Sequence, residues 1–424
     1  MLFMELLQNK GTRDNPKIVN MKISFSPPFI DEDIENEVLA CLRSGWITTG
    51  PIVRNLELLC SEITSSKRSL CVNSWTSGAL LVLKWLGVKE GDEVIIPAYT
   101  YSATALAVLH AGAKPVMVDI LDDFTIDPDE IVKAITPATK AIITVDIGGW
   151  PCNYAAIRDV IFGTEVMKMF TANNEVQEKL GRPLLISDSA HSIGAMYFNK
   201  PASLASDISI FSLHAVKNIT TAEGGVICLN LPEPFNNDEE YNWMKLNSMN
   251  GQTKDAFTKS QAGGWKYDIV SDGLKINLPD ICAAIGLAQM KKYNRYLLPE
   301  RERVFKHYSN FFTDKDWAII PPSENNERKS SFHLYPLRIK GINEHQRDNI
   351  IQKMAEAGVA TNVHFMPLPM FTLFKNCGYK IEDYPKSYQH YLSEISLPIY
   401  PQLTDEECTF IEQEFDRIYN EIVK

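Results

Sequence analysis

The chain has no Cys-x-x-Cys pair, no apolar run long enough for a membrane helix, no excess of basic charge, and no internal repeat or low-complexity tract. Each absence excludes a class. Its eight cysteines, Cys41, Cys60, Cys71, Cys152, Cys228, Cys282, Cys377 and Cys408, lie mostly in apolar helical or strand patterns. They read as reduced core residues of a cytoplasmic protein rather than a disulfide framework, and no metal site is expected. The first apolar run, Leu2 to Leu7, is too short and too soon broken for a signal peptide or a membrane helix. Residues 1–20 read as a loosely attached arm. The formal net charge of -11 argues against nucleic acid as a partner. It does not exclude an anionic small molecule, which needs only a local cationic pocket.

What is present is a chain of 424 residues, long enough for two packed units, with 45% hydrophobic and 22% charged residues, the balance of a globular protein. Asp31 to Ser44 is predicted to be a helix that Gly45 stops. A second helix is predicted from Thr76, with Ala79, Leu80, Leu83 and Leu86 inward. Apolar strand-like runs then recur at Val94–Pro97, Pro115–Asp119, Ala141–Val145, Leu184–Ser187, Ile208–Ser212 and Val226–Leu229. Helical or loop stretches separate most of them. The alternation predicts an α/β fold, a mostly parallel sheet with helices on both faces. A long helix over Asp280 to Tyr296 leads out of this unit.

Beyond it the pattern changes to a smaller α+β unit. Its expected elements are strands at His333–Ile339 and Val359–Phe365 and a helix from Asn343 to Ala357. A last helix follows the capping box Thr404-Asp-Glu-Glu407. The expected division is an arm over 1–20, a large domain over 21–297 and a small C-terminal domain over 298–424.

One lysine stands out. Lys217 lies in Ser209-Ile-Phe-Ser-Leu-His-Ala-Val-Lys217-Asn-Ile-Thr-Thr-Ala-Glu-Gly-Gly225, in a small polar turn between two strands. An amine held there by rigid elements becomes a nucleophile if its pKa falls well below the ordinary value of ~10.4. Upstream, Leu185-Ile-Ser-Asp188-Ser-Ala-His191 is a strand ending in a carboxylate. A lysine amine plus a strand-end aspartate is what pyridoxal phosphate needs: a covalent anchor, and an acid that keeps the pyridine nitrogen protonated. Asn73-Ser74-Trp75-Thr76-Ser-Gly78 sits between a strand and a helix. Backbone N–H groups and hydroxyls there suit a phosphate.

The ordered set Asp188-x-x-His191, Ser212-x-x-x-x-Lys217 and Thr221-x-Glu223-Gly-Gly225 resembles the DegT/StrS-type nucleotide-sugar aminotransferases, fold type I pyridoxal-phosphate enzymes. The resemblance runs from about Ile23 to about Tyr419. It includes Ser44-Gly-Trp-Ile-Thr-Thr-Gly-Pro51 and Ser396-Leu-Pro-Ile-Tyr400, and it looks closest to the branch that makes UDP-4-amino-4-deoxyarabinose. It implies amino transfer from glutamate to a keto-sugar nucleotide, with a 4-keto sugar favoured by Asn218-Ile-Thr-Thr-Ala-Glu-Gly-Gly225. The products would feed surface polysaccharide or lipid A-type glycans. It also implies roles residue by residue. Lys217 and Asp188 are catalytic. His191 lies near the cofactor's 3-oxygen, and Ser74, Trp75, Thr76 and Ser212 serve its phosphate. Tyr101 stacks on its ring. His364 lies on the sugar side. Asn277 reaches the phosphate of a neighbouring subunit, which makes a homodimer with composite sites; its alternative is a plain helix-start residue.

The chain also departs from the family. Trp75 stands where relatives have a small residue, Asp146 where many have histidine, Trp150 for a usual small polar residue, and Pro367-Leu-Pro369 for Pro-Leu-His. Residues 162–182 look like an insertion, with Phe170 to Asn174 as an exposed turn. The competing readings are a sugar dehydratase, which usually replaces the lysine with histidine, a non-catalytic pyridoxal-phosphate protein, and an aminotransferase for a 3-keto sugar or a cyclitol.

Overall fold

The computed structural model describes residues 21–254 and 265–424; the predicted arm over 1–20 lies outside them. Seven strands form the central sheet: β1 (Arg68–Val72), β2 (Glu93–Pro97), β3 (Lys114–Val118), β4 (Thr139–Val145), β5 (Leu184–Asp188), β6 (Ile208–Ser212) and β7 (Gly225–Leu229). Their order across the sheet is β1-β7-β6-β5-β4-β2-β3. All pairings from β6 to β3 are parallel, and β7 alone runs against its neighbours β1 and β6. The strands are apolar nearly throughout because helices cover both faces, as a parallel sheet requires. The fold class read from the sequence is the one observed.

Helix α1 (Glu32–Ser44) starts at Asp31, whose carboxylate accepts the Ile34 N–H, and stops at Gly45 with φ 73°. Helix α2 (Pro51–Thr64) was not among the sequence expectations. Proline in its first turn and an apolar face at Val53, Leu56 and Cys60 explain it, and it packs on the long helix α5 (Asp280–Lys292). Helix α3 (Trp75–Leu86) begins one residue earlier than expected. Helix α4 (Ala103–His110) follows β2. After α5 the chain makes a π turn over Tyr293–Leu297 and enters α6 (Leu298–Phe312).

A second core lies beyond. A three-stranded antiparallel sheet of β8 (Ala318–Ile319), β9 (Tyr335–Ile339) and β10 (Glu394–Leu397) packs with α6, α7 (Glu344–Glu356) and α8 (Asp405–Val423). The expected capping box of Thr404 with Glu407 is formed, and a second one joins Asn343 with Gln346. Ile23 belongs to this core, bridging to Val359. The expected strand over Val359–Phe365 is absent. That segment pairs only at isolated points, Val359 with Ile23 and Asn362 with Ser396, so it has no ladder to extend. His333 precedes β9 rather than opening it.

The 162–182 segment forms two short helices, Thr164–Met169 and Glu175–Leu180. The turn between them, expected to be exposed, is only partly so, because it is tied down at several points. Lys140 Nζ donates to the Thr171 carbonyl, and Asn173 Nδ2 to Asp92 Oδ1 at 3.0 Å. Asn174 Nδ2 and Gln177 Nε2 both donate to the Leu86 carbonyl, at 3.0 and 2.9 Å. The segment therefore satisfies a carbonyl that the end of α3 leaves without a helical partner. Among the described residues, no helix is long and apolar enough to cross a membrane, and no cluster of three metal-ligating side chains occurs.

Candidate active site

The carboxyl ends of β1, β2, β4, β5 and β6 open into one cavity of about 450 Å³, the place where open α/β sheets bind ligands. Ser74, Trp75, Thr76, Tyr101, Asp188, His191, Ser212, Lys217 and His364 all line it. Of the residues assigned to the cofactor or the sugar, Asn277 does not line it. It sits behind β1 at a small cleft, where its Nδ2 donates to Thr49 Oγ1 at 2.6 Å.

Lys217 is carried by the β6–β7 loop, which is pinned along its length. The Lys217 N–H donates to the His214 carbonyl at 2.9 Å, and the Thr221 N–H to the Leu213 carbonyl at 2.9 Å. Next to it, Asn218 is buried. Its Nδ2 donates to Tyr293 Oη and to the Ser331 carbonyl, and its Oδ1 accepts from His333 Nδ1 at 2.8 Å. The loop is thus clamped between the large sheet and the segment leading to β9. Among the described residues, Lys217 Nζ makes no hydrogen bond or ion pair. Burial lowers its pKa from 10.5 to about 8, and the charge of Asp188 opposes the fall. A substantial fraction is then neutral at mildly alkaline pH.

Asp188 ends β5 and is only 5% exposed. Its Oδ2 accepts from Thr104 Oγ1 at 2.9 Å and its Oδ1 from the Ala190 N–H at 3.2 Å. Thr104 is held in turn by Thr100, 3.0 Å away. Burial raises the carboxyl from 3.8 to about 7, while these hydrogen bonds and Lys217 pull it down. A cation placed opposite it in the cavity would lower it further.

The start of α3 is built for an anion. Ser74 is the N-cap, and its hydroxyl accepts the Ser77 N–H at 3.1 Å. The Trp75 and Thr76 N–H groups precede any intrahelical partner and carry the positive end of the helix dipole. Gly225 makes this possible. A Cβ there would lie 2.7 Å from the Ser74 carbonyl carbon and 2.8 Å from the Trp75 nitrogen, so only glycine lets β7 pass the helix start. Ser212, the last residue of β6, brings a second hydroxyl. The Trp75 ring is buried in the core under α3, and among the described residues its Nε1 has no hydrogen-bond partner.

His191 Nδ1 accepts the Gly148 N–H at 3.2 Å, which places its proton on Nε2. Its ring lies 4.3 Å from that of His333. Burial and nearby positive charge push both histidines well below 6.5, so both are neutral. Tyr101 is 62% exposed at the mouth of the cavity, with its ring 5.9 Å from Phe365. Asp146 turns inward. It accepts from the Cys152 N–H, Tyr154 Oη and Ser192 Oγ at 2.8–2.9 Å, so it holds the turn after β4. Trp150 packs under the Arg328 guanidinium and donates to Asp123 at 3.0 Å.

Sequence reading missed three residues. Thr104 orients Asp188, and Asn218 fixes the lysine loop. His333 comes from the start of the second core and packs its ring, tilted by 35°, against His191. Of these, only Asn218 carried a local signal, its place directly after the lysine.

Comparison with known proteins fits this geometry. The profile of the DegT/DnrJ/EryC1/StrS aminotransferase family matches residues 28–415. The spore coat polysaccharide biosynthesis protein SpsC of Bacillus subtilis is 32% identical over 92% of this chain and 95% of its own length. A solved structure described as "Putative sugar aminotransferase Spr1654 from Streptococcus pneumoniae, PMP-form" is 40% identical. It superposes with a TM-score of 0.91 over 95% of this chain and all of its own (100%). Helicobacter pylori PseC, an aminotransferase of pseudoaminic acid biosynthesis, is 27% identical with a TM-score of 0.81 over 95% of this chain and 100% of its own. The chain belongs to the DegT/DnrJ/EryC1/StrS aminotransferase family.

Proposed function

We propose that the protein is a pyridoxal-phosphate-dependent aminotransferase that moves the amino group of glutamate to a keto-sugar nucleotide, and that the sugar carries its keto group at C4. One observation carries the reading: a desolvated, unpartnered lysine amine shares a cavity with a buried carboxylate and the free N–H groups of a helix start. The donor set fits pyridoxal phosphate. Lys217 would anchor it covalently, Asp188 would face its ring nitrogen, and Ser74, Trp75, Thr76 and Ser212 would hold its phosphate. Tyr101 and His191 would border its ring. Bound there, the cofactor supplies an electron sink for a carbanion and carries the amino group between two substrates.

The chain's own residues supply positioning and proton movement. Once free, Lys217 Nζ takes the proton from the α-carbon of the amino donor and later returns a proton to the sugar carbon. Its lowered pKa serves that task, since an amine near 8 is both base and acid close to working pH. Asp188 would hold a proton on the cofactor's ring nitrogen, and the Thr104 hydroxyl, which donates to Asp188 Oδ2, fixes the carboxylate for that task. His364 lines the side of the cavity assigned to the sugar.

Lys217 argues against the dehydratase reading. The 4-keto assignment and the amino-arabinose branch rest on the motif Asn218 to Gly225. The residues around 265–277 support a dimer with composite sites. Trp265, Ile269 and Val270 expose 77%, 62% and 57% of their surface, a patch suited to a partner. Asn277 follows this patch and would reach the partner's phosphate. Residues 21–297 are assigned as the cofactor-binding domain and 298–424 as the small domain, in a cytoplasmic enzyme.

The test is amino transfer itself. The protein loaded with amino groups from glutamate is offered a panel of keto-sugar nucleotides, and amino-sugar products are identified by mass spectrometry. A 4-amino product supports the proposal. A product aminated at C3, or a deoxygenated sugar without nitrogen, would overturn it.

A further inference from the structure

His364 lines the cavity, and the side chains behind it form a chain leading into the second core. Its Nδ1 lies 2.9 Å from Ser396 Oγ. Ser396 Oγ in turn bonds Glu394 Oε1. Glu394 Oε2 accepts the backbone N–H of His364 itself at 2.8 Å. Glu394 and Ser396 are both fully buried on β10. The His364 ring stacks on Phe25, with centroids 5.3 Å apart and planes 22° from parallel. Among the described residues, Nε2 makes no hydrogen bond, so the cavity is where its partner must come from.

We infer that Glu394 and Ser396 are positioning residues that set, through His364, which hydrogen-bond group the cavity offers to an oxygen of the sugar substrate. The inference deepens the function proposed above and rests on it for the identity of the substrate. The logic is one of donors and acceptors. Oε2 is committed as an acceptor, so a proton on Glu394 must sit on Oε1. It then donates to Ser396 Oγ, the Ser396 hydroxyl donates to His364 Nδ1, and Nε2 carries the ring proton toward the cavity. With Glu394 ionised the chain reverses. Ser396 donates to Oε1, Nδ1–H donates to Ser396 Oγ, and Nε2 becomes an acceptor. The Oε1 proton passes to Ser396 Oγ, the Ser396 proton passes to Nδ1, and the Nε2 proton leaves to cavity water, so one proton is released and the relay balances.

The surroundings favour the protonated form near neutrality. Burial raises Glu394 from 4.5 to about 8, although Ser396, the His364 N–H and the charge of Arg347 on α7 pull it down. Tyr99, whose hydroxyl donates to the His364 carbonyl at 2.9 Å, faces the same carboxyl and stays protonated. Across the cavity stand Lys217 and the neutral His191 and His333. Burial and Lys217 hold His364 at about 3, so the ring changes tautomer without gaining charge. The working form therefore presents an N–H donor and selects an acceptor oxygen, a keto or a phosphate oxygen.

The test uses the full-length protein with ¹⁵N-labelled histidine, with the His364 nitrogens followed from about pH 6.5 to 9.5. The titration needs neither cofactor nor substrate, so its outcome is separate from that of the proposed function. It is repeated in Lys217→Ala protein, which removes the lysine's own titration. In both proteins the His364 proton should move from Nε2 to Nδ1 through about pH 8. Glu394→Gln keeps an amide donor toward Ser396 at every pH, so its His364 should stay in the Nε2–H form. Its kcat/KM should also lack the fall of about tenfold per pH unit expected of the wild type above that point. Ser396→Ala should cut the link and uncouple the tautomer from pH. A loss in kcat places the acceptor at the keto oxygen, and a rise in KM places it at the diphosphate. Either supports the inference. Wild-type His364 nitrogens that do not change with pH would overturn it, as would a tautomer change with no effect on kcat/KM.

Discussion

Asp188→Asn should separate stability from catalysis. The carboxyl is buried and raised from 3.8 to about 7 without a cation opposite it. That rise implies a penalty on the ionised form on the order of 4 kcal/mol. A group whose folded pKa is raised contributes stability that is complete below its unfolded value and lost as pH climbs through the folded one. The cofactor-free wild type should thus lose stability from about pH 4 to above pH 7 on account of this residue. The asparagine variant cannot ionise. Its Oδ1 can accept the Ala190 N–H, and its Nδ2 can donate to Thr104 Oγ1, so both existing contacts survive. Relative to their common limit below pH 4, cofactor-free Asp188→Asn should then exceed the wild type by about 1.5 kcal/mol at pH 5 and about 4 kcal/mol at pH 9 in urea unfolding. Catalysis should move the other way. Loss of a preorganised charge at the ring nitrogen removes roughly 3–4 kcal/mol of transition-state stabilisation, or about 10²–10³ in kcat. Single-turnover amino transfer from glutamate measures it. A variant with near wild-type turnover, or one destabilised at pH 9, would refute the reasoning.

Other outcomes follow from the same structure. Arg182 and Asp207 form a buried bidentate pair at 2.7 and 2.8 Å, so Arg182→Ala should destabilise the fold by roughly 3–5 kcal/mol in urea unfolding. A loss under about 1 kcal/mol would mean that the pair is dispensable. Mixing inactive Lys217→Ala chains with inactive Asn277→Ala chains should restore part of the activity, because each mixed dimer holds one site with neither defect; demonstrated heterodimers without activity would remove Asn277 from the partner's site.

The residues that line the cavity were more legible in the sequence than those that support them. Lys217, Asp188 and the turn at Ser74 sit where a strand gives way to a turn, and that change of pattern is local. The sheet followed from apolar runs at regular intervals, since a strand buried on both faces must be apolar along its length. His333 and Glu394 were not legible as site residues. The first looked like the start of a strand. The second is an acid beside Ile395 whose burial exists only because α7, β9 and the 362–367 segment close over it. The run Val359–Phe365 has strand composition but meets Ile23 and Ser396 only at single bridges rather than along a ladder, which no single segment reveals. The 162–182 segment stood out in the sequence only as a stretch unlike the family pattern. That it ties down the end of α3 through Asn174 and Gln177 depends on contacts nearly ninety residues away.

The central claim is that Lys217 is the amine that holds the cofactor. The purified protein is loaded with pyridoxal phosphate, reduced with borohydride, digested and mapped by mass spectrometry. The account predicts the reduced cofactor on Lys217, in the peptide that contains Val216 and Asn218, and no covalent cofactor in Lys217→Ala protein. Cofactor on another lysine, or no covalent cofactor in a folded wild-type protein, would contradict it.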